Sequence, residues 1–147
     1  MKATLTKAIV GGATISFIPS MIVGWLAKTF PSIAPEELQT VSDFFGLGIG
    51  PLQLIVFAMI VFIIPPIEEI LFRGWLWKMC KFKLNTNQTW VITSLIFAAV
   101  HAEPLHILGL LPLSFFLGWL RKEGGGIEYS TIAHMTNNAV ACLLMII

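Results

Sequence analysis

Long uninterrupted apolar runs, rather than an alternation of apolar and polar positions, organise this chain. The first extends from Ala8 to Leu26. At 1.5 Å per residue such a run spans the ~30 Å apolar core of a bilayer. Pro19 is expected to kink it. Lys2 and Lys7 ahead of it resemble the start of a signal peptide, but no A-x-A site follows, so the run reads as a retained membrane helix. A polar interval from Lys28 to Asp43, holding Pro31, Pro35, Glu36 and Glu37, reads as an exposed loop. The second run, Gly46 to Ile64, stops at Pro65-Pro66, and the third, Ile67 to about Met79, carries Glu68, Glu69 and Arg73. Lys78, Lys81, Lys83 and the cluster Asn85-Thr86-Asn87 end it. The remaining runs are Thr89 to His101, Leu105 to Leu120 and Ile127 to Ile147, the last two separated by Gly124-Gly125-Gly126.

These runs predict an all-α fold: a polytopic integral membrane bundle of about six apolar helical segments around an intramembrane polar site, forming one domain over 1–147. Several runs are short, since roughly 13–16 residues give only ~20–24 Å of helix. Helices of that length end inside the protein, around a polar cavity. Lys78, Lys81 and Lys83 flank one connection and Arg121 and Lys122 another, which places both on the cytoplasmic side. A single kinked passage through Pro65-Pro66 would put Lys2 and Lys7 on that side too, whereas a reversal there would not; the charges favour the kinked passage.

Composition agrees. Of the 147 residues 56% are hydrophobic and 12% charged, against about 25% charged in soluble domains; mean hydropathy is +0.86. A net charge of +1 with so few charges excludes disorder, coiled coil and a basic nucleic-acid binder. Cys80 and Cys142 follow no C-x-x-C spacing and read as buried free thiols. The five tryptophans read as interface belt or core.

Ionisable groups inside membrane segments are costly and normally face the bundle interior, where they mark function. Here they are Glu68, Glu69, Arg73, His101, Glu103, His106 and His134, with the amides Asn137 and Asn138. Counting from the basic connections puts Glu68 and His101 each at ~20 Å of helix, and His134 and Asn138 at ~12 and ~18 Å. Three segments thus bring polar groups to one depth near the middle of the membrane. Glu69 and Arg73 stand at i,i+4 with the acid first, the favoured ion-pair order. Glu68 lies about 100° around the helix, free to face elsewhere. His134 and Asn138 share a face, as do Phe97 and His101. Singly, each feature has a structural explanation: first-turn acids after a proline, a hydrogen-bonded histidine at a helix end, polar glue between helices. Glu103 and His106, beside Pro104, read as interfacial.

The motifs carry a resemblance. Glu68-Glu69-Ile70-Leu71-Phe72-Arg73-Gly74 is similar to the E-E-x-x-x-R-G motif of the CAAX protease and bacteriocin-processing family, the type II CAAX prenyl endopeptidases of Abi type. Phe97-Ala98-Ala99-Val100-His101 resembles its F-x-x-x-H motif, and His134-Met135-Thr136-Asn137-Asn138 its H-x-x-x-N motif. The resemblance covers a protease-like core over 60–147; the N-terminal helix and loop over 1–45 carry no such signature. It implies an intramembrane endopeptidase in which Glu68 and His101 activate a water, His134 and Asn138 stabilise the oxyanion, and Glu69 and Arg73 support them. Prenyl-processing members usually carry more membrane helices than this chain supplies, so CAAX processing and bacteriocin maturation or immunity both stay open.

The expected reaction uses no cofactor and no metal. A zinc peptidase with Glu68, His101 and His134 as ligands is the alternative within enzymes, although no H-E-x-x-H is present. A non-catalytic membrane immunity or scaffold protein of the same fold is the alternative outside them, and a proton or ion pathway the remaining one. The expected partners are membrane lipid and a peptide or protein substrate, lipidated or not, and the expected location is the cell membrane of a prokaryote.

Overall fold

The computed structural model describes residues 2–15, 17–30, 43, 44, 46, 48–102 and 104–146. These residues are helical, without strands. Helix α1 is Leu5–Thr14, α2 is Phe17–Thr29, α3 is Pro51–Lys81, α4 is Thr86–Ala99, α5 is Pro104–Gly124 and α6 is Glu128–Ile146. The loop expected between Lys28 and Asp43 falls mostly outside the described residues.

Helix α2 begins at Phe17, so Pro19 lies in its first turn, where a missing N–H costs no intrahelical bond. At the other proline site the outcome differs. The second and third apolar runs join into the single helix α3, which passes through Pro65-Pro66 without reversing, as the charge distribution favoured. It passes them by widening: Met59–Ile63 and Ile70–Leu76 are π-helical turns flanking the ordinary turn Ile64–Glu69. In the first, the Ile64 N–H bonds Met59 O, and the missing proline donors fall where the ladder is already open.

Helix α3 has two faces. Val61, Pro65, Glu69, Arg73 and Trp77, four residues apart, are buried. Ile67, Ile70 and Trp75 on the other side stay 57–60% exposed. A surface this apolar suits lipid rather than water. Helix α3 and the stretch Leu5–Leu26 are long and apolar enough to cross a membrane.

The other helices close around the inner face. Leu113, Leu117 and Leu120 of α5 form a buried cluster with Ala8 of α1 and Ala133 of α6. A second cluster joins Val61 of α3 to Cys142 of α6, with Val56, Phe57, Ile60 and Ala139 packed against it. Helix α4 opens with an Asn85–Gln88 capping box, Gln88 N–H donating to Asn85 Oδ1 at 3.0 Å. It leans on α5, where Trp90 Nε1 donates to Phe115 O at 2.9 Å.

Glycine sets the approach of α1 to α6. A Cβ at Gly12 would strike the Ala133 backbone, one residue before His134. At Gly24 an added Cβ meets nothing within 4 Å. Gly12→Val should therefore push α1 off α6 and cost about 1–3 kcal/mol of stability, read as a lower Tm. Gly24→Ala should leave Tm unchanged or raise it slightly through better helix propensity.

Candidate active site

Three helices supply the polar residues. The i,i+4 spacing and the burial of one stripe of α3 carry Glu69 and Arg73 inward together. Both are fully buried, with Arg73 Nη1 at 3.2 Å from Glu69 Oε1. A buried guanidinium is costly unless acceptors surround it, and here the hydrogen bonds fall on Nη2, with Nε and Nη1 finding no hydrogen-bond acceptor among the described residues. Its Nη2 donates to Ser114 O at 2.9 Å and Ser114 Oγ at 3.1 Å on α5. Its carbon lies 4.2 Å from the centroid of the Phe97 ring on α4, within cation–π range. Ser114 is held in turn by Ser94 of α4: Ser114 Oγ donates to Ser94 O at 2.7 Å and Ser94 Oγ to Ser114 O at 3.1 Å. Arg73 thereby ties α3, α4 and α5 at one level.

Helix α6 brings His134 to the same place, 3% exposed. Its Nδ1 lies 3.3 Å from Glu69 Oε1 and its Nε2 3.5 Å from Glu68 Oε2. An ionised carboxylate only accepts, so the Nδ1 proton faces Glu69 and the Nε2 edge turns to Glu68. Glu68 is the open member, with 27% of its side chain exposed. The two adjacent acids are thus divided as their helical angle required, one against Arg73 and one facing out, with the histidine between them.

Asn138, one turn beyond His134, donates from Nδ2 to Ile60 O of α3 at 3.0 Å, and its Oδ1 accepts from Asn137 at 3.4 Å. His101 meets the cluster through Phe97, whose ring centroid is 5.3 Å from His101 and 5.6 Å from His134. The His101 Nδ1–H donates to Phe97 O at 2.9 Å, which leaves Nε2 for another partner. His106, expected at the interface, packs against His101 with ring centroids 5.2 Å apart. Glu103 lies outside the described residues. Among the described residues no three His, Cys, Asp or Glu side chains are placed to hold a metal ion.

The family model for type II CAAX prenyl endopeptidases, Rce1-like, matches residues 50–140. The chain belongs to that family. No curated protein and no solved structure gives a match. The Rce1-like family is one of membrane-associated proteases, and the matched segment takes in all three motifs together with Ser94 and Ser114.

Reading the chain alone missed the partners that carry no charge. Ser94, Ser114 and Ile60 O hold the Rce1-like site in place, yet a serine or a carbonyl in an apolar run stands out from no pattern. Arg121 was read only as a topology signal, and its Nε donates to Arg73 O at 2.9 Å. That carbonyl lies at the second π turn, where Trp77 N–H is taken by Phe72 and Gly74.

Glu69→Gln or Arg73→Gln leaves the other charge buried without its partner, at a cost of about 3–5 kcal/mol. Thermal unfolding of each single variant should show that loss. The double variant should unfold well above the sum of the two effects, because both remove one interaction.

Proposed function

We propose that this chain is a polytopic integral membrane endopeptidase of a prokaryotic cell membrane, one domain over 1–147, that hydrolyses a peptide bond with a glutamate-activated water and no cofactor. The observation that carries the reading is His134 set between Glu68 and Glu69, with Glu68 alone of the two acids open to a substrate.

Glu68 is the general base. In apolar surroundings it takes a proton from a water that also donates to Nε2 of His101. The hydroxide adds to the scissile carbonyl, and its oxygen becomes an oxyanion. His134 Nε2 and the second Nδ2 proton of Asn138 donate to that oxygen, in a low-dielectric site where such donors count most. A histidine donating from both nitrogens is cationic; His134 and Arg73 together then face two anions, the Glu69 carboxylate and the oxyanion, and the charges balance at the intermediate. Protonated Glu68 then gives its proton to the leaving amine, so the acid is restored with each turnover. Glu69 and Arg73 touch no substrate; they fix the histidine.

The substrate is a peptide or protein segment that reaches the site from the lipid, lipidated or not. The exposed apolar face of α3 gives such a segment a lipid-side approach. CAAX processing and bacteriocin maturation or immunity fit this chemistry equally.

Glu68→Gln preserves size and hydrogen bonding but removes the base. Peptidase activity in detergent should fall by roughly 10²–10⁴ with folded yield near wild type. The wild-type enzyme should keep its activity after dialysis against a strong chelator. Activity lost to the chelator and restored by zinc would transfer the chemistry to a metal, and full activity in Glu68→Gln would remove the base from the scheme.

A further inference from the structure

The wide turn ahead of the two prolines does more than let the helix pass. In a regular helix the carbonyl of Ile60 would accept from the N–H of Ile64, and in a wide turn from the residue at 65. Ile64 N–H is turned to Met59 O, and position 65 is a proline with no N–H. The helix therefore leaves Ile60 O open on its inner side. A carbonyl shielded from water without a donor is costly, and Asn138 Nδ2 reaches this part-buried one at 3.0 Å.

A primary amide has two N–H donors and one acceptor. Ile60 O takes one donor, and Asn137 Nδ2 supplies the acceptor's partner at 3.4 Å. With both settled, the Asn138 amide has one orientation, and its remaining N–H is directed by the backbone of a different helix. Pro65 itself is buried and touches no reacting atom. We infer that Pro65 is a positioning residue: by withholding a backbone N–H it keeps Ile60 O available, and Ile60 O holds the Asn138 amide in the orientation that presents its second donor to the oxyanion. The last clause rests on the endopeptidase reading; the control of Asn138 by Pro65 does not.

The neighbouring proline provides the control. A donor restored at 66 would reach Phe62 O or Val61 O, not Ile60 O. A donor restored at 65 competes for Ile60 O directly while the turn stays wide. If the turn relaxes to a regular helix, Ile64 N–H takes Ile60 O instead. Either way Asn138 loses its acceptor.

The experiment compares wild type, Pro65→Ala and Pro66→Ala in detergent, with asparagine side chains labelled with ¹⁵N and the Asn138 resonance assigned by its loss in Asn138→Ala. Pro65→Ala should move or broaden the Asn138 amide pair, and Pro66→Ala should leave it in place. Tm should not fall in Pro65→Ala, because a helix donor has been restored. On a cleaved peptide, kcat should drop about 10–100-fold in Pro65→Ala with KM little changed, as for a misdirected oxyanion donor. If Pro65→Ala is not recovered folded, Pro65→Ser supplies the same N–H. An Asn138 resonance untouched by the change at 65 overturns the inference. So does one that moves while kcat stays at the wild-type value. A wild type without peptidase activity would count against the endopeptidase reading alone, because the amide resonance still decides the link from Pro65 to Asn138.

Discussion

A guanidinium and a carboxylate with no exposed surface impose the arrangement of everything around them. Removing Arg73 and Glu69 from water is expensive, and partners from the neighbouring helices offset part of that cost. Glu69 shares its Oε1 between Arg73 and His134. Arg73 answers with Ser114 of α5 and the face of Phe97 from α4. Four helices are thereby brought to one level by a single buried ion pair. The apolar contacts beyond it, such as Leu113, Leu117 and Ala133, fill space that the pair has already placed.

The same constraint divides labour between two adjacent acids. Successive helical residues point about 100° apart. With Glu69 turned inward to Arg73, Glu68 has to face the edge of the bundle, where part of its side chain stays accessible. One carboxylate is then committed to the buried pair and the other stays accessible. His134 touches both, so any shift of the buried pair is passed to the open acid through one imidazole ring.

Much of this was legible in the chain, and the reason is cost. Charged residues in apolar runs are rare enough to be conspicuous, so Glu68, Glu69, Arg73, His101 and His134 announced themselves, and counting along helices brought them to a common depth. The passage through Pro65-Pro66 was also legible, from the placement of lysines. What stayed hidden was the answer of neutral groups to those charges. Ser94 and Ser114 look like any small residue in a membrane segment. The first π turn of α3 sits where Pro65 and Pro66 cannot complete the ladder, and at each of the two wide turns a side chain takes a carbonyl, Asn138 at Ile60 O and Arg121 at Arg73 O. None of that has a periodicity to read. Nor does any pattern tie His106 to His101; their rings meet only once α5 is packed in place.

One imidazole, that of His134, is held by a different acid at each nitrogen. Labelling histidine with ¹⁵N and following His134 in wild type, Glu68→Gln and Glu69→Gln tests this directly. Loss of the buried acid should shift chiefly the Nδ1 signal, and loss of the open acid chiefly the Nε2 signal, in the same ring. Both variants disturbing the same nitrogen, or neither disturbing His134, would contradict it.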